Sequence, residues 1–202
     1  PSCSVTEKAP YTSYANTDIS IPPAYVLEGN TIRFEVGQNN GNIVIDPSLE
    51  WASYMGGSSE DRGMCASSDT AGNVYMAGRT ASGSSSTVYT SGAHQTTFAG
   101  QEDGFITRYT AGGVRIWSTY YGGAGKEAIN AITVDKQNNI LFCGWTDTSY
   151  SGIATTGAHQ PAYGGGGSDC FLVKMNPSGQ RLWGTYYGGA ADERDGNDYQ
   201  TG

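Results

Sequence analysis

The stretch "IWSTYYGG", Ile116–Gly123, decides the fold of this chain because the chain contains three versions of it. "EWASYMGG" occupies residues 50–57 and "LWGTYYGG" residues 182–189, so the pattern Trp-x-x-Tyr-x-Gly-Gly recurs at intervals of 66 residues. A period of this length is typical of proteins that stack one supersecondary unit on another. The sequence therefore predicts a repeat architecture.

The match extends well beyond the tryptophans. Two full copies of the unit are present, and a third begins at Trp183. Three pairs of segments correspond, the second pair after a one-residue deletion: "DTAGNVYMAGRT" (69–80) with "DKQNNILFCGWT" (135–146), "SGAHQTTF" (91–98) with "TGAHQPAY" (156–163), and "DGFITRYTAGGVRIW" (103–117) with "DCFLVKMNPSGQRLW" (169–183).

Each unit is predicted to form four short antiparallel strands. In "NVYMAGRT", Val74 and Met76 alternate with Tyr75 and Ala77, as in a strand that is apolar on both faces, and segments such as "DTAGN" and "NPSG" favour tight turns. Four antiparallel strands that recur as a unit are typical of a β-propeller blade. The Gly-Gly pair would let the chain turn sharply into the next blade, because glycine allows the positive φ and the close backbone approach that this turn needs.

We therefore predict an all-β fold, a partial β-propeller of two four-stranded blades plus the start of a third, preceded by a short β segment. The predicted boundaries are residues 1–46 for the preceding segment and 47–202 for the blades, which divide at about 51–116, 117–182 and from 183. Residues 24–47 read as two or three strands, whereas residues 1–20 show no period and are expected to be extended or poorly ordered.

Two blades and the start of a third cannot close a ring, and they leave strand edges exposed. The chain also starts at Pro1 rather than at Met. We therefore expect a piece of a longer protein, completed by the remaining blades of the parent chain, by a partner chain or by further copies of itself.

Composition excludes several classes of function. The net charge of −8 and the pI of about 4.6 argue against binding to nucleic acid or to an anionic membrane. No apolar run reaches the roughly 18 residues of a membrane span, so no membrane insertion is expected of this segment. The cysteines lack metal-ligand spacing; Cys143 and Cys170 could form a disulfide, but small buried thiols are the preferred interpretation.

The repeated segments resemble the SBBP (seven-bladed β-propeller) repeat family of secreted and cell-surface bacterial proteins. The resemblance covers about residues 45–189, and "NIVIDPSLEW" (42–51) resembles the junction that precedes such repeats in surface proteins of Bacteroidota-type bacteria. Two turns depart from the family pattern: an aromatic-Pro-Thr turn is missing, and Asn138 replaces the glycine found at Gly72. The resemblance implies a secreted or bacterial cell-surface location.

The candidate chemical residues favour structural roles. His94 and His159 occupy equivalent places in "GAHQ", and a residue copied in every unit usually serves the unit. Asp69 and Asp135 head two turns, where an Asx turn is preferred over calcium coordination because no Asp-x-Asp-x-Asp-Gly loop is present. We predict no cofactor and no metal, with calcium as the weaker alternative.

Binding is expected in the loops that vary between the copies, residues 81–100 and 147–166. Phe98 and Tyr163 recur in register and are predicted to pack under these loops. Tyr150 is the preferred ligand-contact residue, followed by Tyr89.

No nucleophile elbow, HExxH motif, P-loop or Rossmann fingerprint appears in the sequence. We therefore expect a non-enzymatic surface module for adhesion, scaffolding or partner binding, with a protein or a glycan at the cell surface as its partner. The alternative is a carbohydrate-active or peptide-cleaving enzyme whose active site lies in blades outside this sequence. A passive stalk or filament subunit is the third hypothesis.

Overall fold

The structure is a computed structural model that describes residues 11–14, 20–21, 24–28, 31–35, 43–46, 51–83, 86–150 and 152–193. These residues form thirteen β-strands and, within these ranges, no helix. The chain divides into two compact units, Pro1–Ala52 and Ser53–Gly202. The all-β prediction is confirmed.

The first unit contains five short strands in two antiparallel sheets. One sheet has the order β2-β1-β5 and the other pairs β3 with β4. The region predicted to hold two or three strands holds three, and β1 lies where the sequence shows no period. The bounds are β1 Tyr11–Tyr14, β2 Ser20–Ile21, β3 Ala24–Glu28, β4 Thr31–Glu35 and β5 Ile43–Asp46.

The second unit contains two antiparallel four-stranded sheets, each with its strands in chain order. The first four strands of this unit form sheet 1 and the last four form sheet 2, and both sheets carry a register shift at the same place in their first strand pair. This repetition confirms the predicted pair of blades. Sheet 1 comprises β6 Asp61–Ser68, β7 Val74–Thr80, β8 Asp103–Tyr109 and β9 Arg115–Tyr121; sheet 2 comprises β10 Glu127–Val134, β11 Ile140–Thr146, β12 Asp169–Met175 and β13 Arg181–Tyr187.

The repeating tryptophans lie in the last strand of each sheet. Trp117 is in β9 and Trp183 is in β13, so both residues that begin a sequence copy fall inside a strand. The next sheet begins only after the Gly-Gly pair, at Glu127 in β10. A sequence period gives the length of a repeating unit but not its first residue. The first residue of each unit is known only from the order of the strands in the sheet.

The two sheets pack face to face through apolar side chains. Tyr121 of sheet 1 meets Phe142 of sheet 2 edge to face at 5.1 Å between ring centroids, and Phe171 at 5.8 Å. Such ring pairs add to the free energy gained by burying their area. One core cluster therefore spans both sheets; it includes Tyr75, Ala77, Ile106, Trp117 and Tyr121 from sheet 1 and Ile140, Phe142, Phe171, Val173 and Met175 from sheet 2.

Candidate functional site

Each repeat forms a small pocket between its long loop and the tryptophan of its last strand. In the first repeat the pocket has a volume of about 180 Å³ and is lined by residues 90–94, Ile116 and Trp117, with Ser178 and Gly179 of sheet 2. In the second repeat it has a volume of about 310 Å³. Residues 155–159 and 183–185 line this second pocket. Both pockets are lined by the equivalent five-residue loop segment and by the equivalent tryptophan, so one site is built twice, although Ser178 and Gly179 line only the first pocket.

The loop wall of the first pocket is held against β9 by hydrogen bonds. The Thr90 N–H donates to the Ser118 carbonyl at 2.9 Å, and the Ser118 N–H donates to Thr90 Oγ1 at 3.1 Å. Thr155 and Gly184 form the same pair in the second repeat, at 2.9 Å and 3.3 Å. The wall of each pocket is therefore an extension of the sheet.

The two histidines contribute stacked rings to this wall. His94 stacks on Tyr121 with 5.7 Å between ring centroids, and His159 stacks on Tyr187 with 6.3 Å. Burial, with a smaller contribution from the charge of Arg181, lowers the pKa of His94 and favours its neutral form. Both rings serve their own unit in the same way, as the predicted structural role requires.

The glutamine of "GAHQ" ties the loop to the Gly-Gly turn. Gln95 Nε2 donates to Asp103 Oδ2 at 2.9 Å, while Gln95 Oε1 accepts the Gly122 N–H at 3.0 Å. Gln160 makes the same two contacts, with Asp169 at 3.3 Å and Gly188 at 3.0 Å. The motif is therefore a structural clamp.

Sequence reasoning missed a pair of buried carboxylates behind this clamp. Asp103 and Glu127 are both fully buried. Glu127 accepts the Gly123 N–H at 2.8 Å and the Thr146 hydroxyl at 2.6 Å. Burial raises the pKa of Glu127 to about 7 and that of Asp103 to about 6.

A signal for these carboxylates was present in the sequence. Asp61, Glu127 and Glu193 are spaced 66 residues apart, as are Asp103 and Asp169. "KEA" at residues 126–128 reads as a departure from "EDR" at residues 60–62, although its glutamate aligns with the aspartate. An acidic residue that recurs at the repeat period predicts a role in every unit.

The contacts of this carboxylate pair are those of an anchor for the backbone. Asp103 accepts the N–H groups of Ala99 at 3.0 Å and Gly100 at 3.1 Å, in addition to Gln95. Carboxylate oxygens that already accept hydrogen bonds from N–H groups are not available to bind a cation. Across the described ranges, no group of three or more His, Cys, Asp or Glu could hold a metal ion.

The contacts of Asp69 confirm the predicted Asx turn. Its Oδ1 accepts the N–H groups of Ala71 at 3.0 Å and Asn73 at 2.9 Å, and Arg108 lies at 3.4 Å from its Oδ2. Burial favours a higher pKa for Asp69, but the hydrogen bond from the Asn73 side chain, the two backbone hydrogen bonds and the charge of Arg108 outweigh it and lower the pKa.

Asp135 heads the equivalent turn in the second repeat. It accepts the N–H groups of Gln137 and Asn139, and Lys174 Nζ lies 2.7 Å from its Oδ2. The hydrogen bond from Lys174 is the largest influence on the pKa of Asp135 and holds it well below the usual range.

In these turns Asn138 has a φ of 62° and Gly72 has a φ of 77°, so asparagine takes the left-handed position that glycine takes in the first copy.

Tyr89 and Tyr150, predicted as ligand contacts, are half-buried and line neither pocket. Tyr89 packs against the Tyr120 ring at 6.0 Å. The Tyr150 backbone is held by the Tyr186 hydroxyl, which accepts its N–H at 2.9 Å and donates to its carbonyl at 2.6 Å. Their contact role stays a prediction.

Two further loop residues pack as predicted. Phe98 packs edge to face on Tyr120 at 5.8 Å, and Tyr163 packs on Tyr186 at 6.2 Å.

Cys65, Cys143 and Cys170 are free thiols, and Cys3 lies outside the described residues. Cys143 and Cys170 are on the neighbouring strands β11 and β12, as predicted. Cys143, however, is exposed, so the prediction of a buried thiol is wrong for this residue. The cause is its position on a face of sheet 2 that no described residue covers.

Two four-stranded antiparallel sheets of equivalent register, packed face to face, define a β-propeller-type repeat protein. Residues 116–151 match the family model of SBBP, a beta-propeller repeat, which confirms the family resemblance. This match runs from the last strand of sheet 1 into sheet 2 and includes one Gly-Gly turn. A search of the curated proteins finds no match. Among the described residues, no helix is long and apolar enough to cross a membrane.

Proposed function

We propose that this chain is a non-enzymatic β-propeller module that binds a protein or a glycan in adhesion or scaffolding. The observation that carries the proposal is the pocket built twice, with Trp117 and His94 in one copy and Trp183 and His159 in the other. A catalytic group must be poised over one reacting bond. Here the histidines are stacked, and the buried carboxylates hold backbone N–H groups.

The lining of the pockets favours a neutral, hydroxyl-rich partner. Each pocket combines an indole ring with small hydroxyl residues, Thr90 and Ser91 in one and Thr155 and Thr156 in the other. Aromatic surface with a few polar groups suits sugar rings and polar loops of proteins alike. The net charge of −8 disfavours an acidic partner.

Two equivalent pockets on one rigid frame would also bind a repetitive partner by multivalency. Linking weak sites raises the overall affinity when the geometry allows both to be occupied. The proposed location, secreted or on the bacterial cell surface, is supported by the family resemblance.

A glycan array and a pull-down against bacterial surface proteins test the proposal. The variants Ser91→Trp and Thr156→Trp each place a large side chain in one pocket. We expect each to weaken binding and the double variant to abolish it, since the remaining site is then lost as well. Lys136→Trp, on an exposed turn, is the matched control and should bind normally.

Two outcomes would contradict this function. If the double variant still binds its partner, the pockets are not the binding sites. Cleavage of a glycosidic or peptide bond by the purified chain would replace a binding module with an enzyme.

A further inference from the structure

Glu127 joins three segments of the chain at one carboxyl group. From β10, its Oε2 accepts the Gly123 N–H of the Gly-Gly turn at 2.8 Å, and its Oε1 lies 2.6 Å from Thr146 Oγ1 at the end of β11. Thr148 Oγ1 lies 3.4 Å from the same Oε1. Thr148 belongs to residues 147–150, which we call the loop start because the long loop of the second repeat begins there.

The hydrogen bonds around Thr146 contain one proton too few for an ionised Glu127. Thr146 Oγ1 lies 2.6 Å from Glu127 Oε1 and 3.0 Å from the Thr148 carbonyl oxygen, and both of these oxygens are acceptors when Glu127 is a carboxylate. A hydroxyl group has only one proton to donate. Both contacts are satisfied together when Glu127 is a carboxylic acid that donates to Thr146, while Thr146 donates to the Thr148 carbonyl.

The surroundings of Glu127 also disfavour a negative charge on it. Glu127 is fully buried, as is Asp103 of β8, and none of the ion pairs of the described residues involves Glu127. Asp147 faces it from the loop start, as does Tyr150, and Tyr186 faces it from β13. Burial is the main cause of the raised pKa of Glu127, and the charges of Asp103 and Asp147 add to it.

The equivalent residues of the other repeats lack this arrangement. Asp61 and Glu193 are only partly buried. Thr80, at the position of Thr146, donates to Asp61, and in the described part of the chain no carbonyl competes for its proton. The contact that requires an acidic proton is therefore a property of the second repeat.

We propose that the proton of Glu127 is a pH-dependent switch that holds the loop start against the Gly-Gly turn. In the neutral state, hydrogen bonds run from Glu127 through Thr146 to the Thr148 carbonyl. Loss of the proton turns the Thr146 hydroxyl toward the carboxylate and takes this donor from the Thr148 carbonyl. The new charge also repels Asp147, so the loop start moves away from the turn.

Tyr150 moves with the loop start in this proposal. It packs on Gly123 of the Gly-Gly turn, where a Cβ would lie 2.7 Å from Tyr150 Cβ. The inference concerns the structure of the loop and does not depend on the proposed binding function, and its test uses no ligand.

Infrared spectroscopy tests the protonation state, because a carboxylic acid and a carboxylate absorb at different frequencies. Glu127→Gln removes the acid but keeps an acceptor for the Gly123 N–H and a donor for Thr146. We expect the parent chain to show an acid band at about pH 6 that Glu127→Gln lacks, and this band should be lost by about pH 8.

Residue-resolved amide hydrogen exchange, corrected for the intrinsic effect of pH, tests the movement. The Thr148 N–H donates to Thr146 Oγ1 at 3.3 Å, and the Ser82 N–H donates to Thr80 Oγ1 at 3.0 Å in the first repeat. Between about pH 6 and pH 8 we expect protection of the Thr148 amide to fall at least about tenfold in the parent chain and less than about twofold in Glu127→Gln. Ser82 is the internal control and should keep its protection.

A second variant keeps the test decisive if Glu127→Gln does not fold. Asp103→Asn removes a neighbouring negative charge, so Glu127 should lose its proton more easily and the fall in Thr148 protection should move to lower pH. Glu60→Gln makes the same chemical change at an exposed site and is the matched control, which should leave the midpoint of this fall unchanged.

Three results would overturn the inference. In the first, the parent chain shows no acid band at about pH 6 that depends on Glu127. In the second, Thr148 loses the same protection in Glu127→Gln as in the parent chain, or its midpoint stays in place in Asp103→Asn. In the third, Ser82 and Thr148 lose protection equally, which would indicate a general loss of stability instead of a local switch.

Discussion

At the scale of single residues, the Gly-Gly pair is explained by close approach. A Cβ on Gly188 would lie 2.5 Å from Asp169 Cγ and 2.9 Å from Glu193 Oε2, and one on Gly122 would collide with Glu127 Oε2 and lie 3.1 Å from Asp103 Cγ. Neither of these glycines has a positive φ, so that part of the sequence interpretation is wrong for the second and third pairs, whereas Gly56 in the first pair has a φ of 149°. Gly122 makes room for two buried carboxylates, those of Asp103 and Glu127, and Gly188 makes room for Asp169 and Glu193.

Gly122→Ala should therefore destabilise the chain strongly. The new methyl group must displace a buried, hydrogen-bonded carboxylate, and we expect the free energy of unfolding to fall by about 2–4 kcal/mol. Gly112→Ala is the control, because its φ is not positive and the nearest atom to a Cβ is Thr110 Oγ1 at 3.9 Å. Urea denaturation of both variants measures the difference, and equal effects would show that the carboxylate pair tolerates the methyl group.

Glu127 should make stability depend on pH in the direction opposite to an ordinary acid-sensitive carboxylate. Its pKa is raised from 4.5 to about 7, so the folded chain binds this proton more tightly than the unfolded chain does. The stabilisation is complete at a pH below the unfolded-state pKa of 4.5, and it is lost as the pH rises through the folded-state pKa of about 7. One pKa unit corresponds to about 1.4 kcal/mol, so the loss is on the order of 2–3 kcal/mol between about pH 5 and pH 8.

Glu127→Gln removes this titration while keeping an acceptor for the Gly123 N–H. We expect urea denaturation to show a smaller fall in stability between about pH 5 and pH 8 in this variant than in the parent chain. Glu60→Gln removes one negative charge at an exposed site and should leave the fall unchanged. A parent chain whose stability rises over that interval would contradict the raised pKa.

At the scale of secondary-structure elements, the turn between β12 and β13 fastens sheet 2 to β9 of sheet 1. Trp117→Phe removes the N–H that binds the Pro177 carbonyl and part of the buried ring. We expect it to lower the free energy of unfolding by about 2 kcal/mol, from a lost hydrogen bond and lost packing. Trp183→Phe, at the uncovered equivalent, should cost less than about 1 kcal/mol. Urea denaturation compares the two, and equal losses would mean that this contact contributes nothing.

The strands could be predicted from the sequence, whereas the contacts between the two sheets could not. Alternation in "NVYMAGRT" identifies β7, and "DTAGN" identifies the turn before it, since both signals are local. The roles of Trp117 and Glu127 depend on Pro177 and Asp103, which come close only after the sheets have paired and packed. The contacts of Tyr150 with Tyr186 show the same limit, because the two residues are 36 positions apart and meet only in the folded chain.

At the scale of the whole second unit, the two sheets share one core. Sheet 1 contributes Tyr121 and sheet 2 contributes Phe142 and Phe171 to a single aromatic cluster. Repeat proteins derive much of their stability from the interfaces between neighbouring units. Neither sheet can bury its facing side chains without the other, so the sheets should unfold together.

Phe142→Leu tests this cooperativity. Removing the ring weakens its contacts with Tyr121 and Phe171 and should lower the free energy of unfolding by about 1–2 kcal/mol. If the sheets unfold as one, native-state hydrogen exchange should show the same loss of protection at the slowest amides of β8 in sheet 1 as at those of β12 in sheet 2. Leu182→Ala, at an exposed position of sheet 2, is the control and should leave both sets of amides protected. Protection that falls in β12 alone would mean that each sheet is stable without the shared core, and the unit would then be a chain of independent sheets.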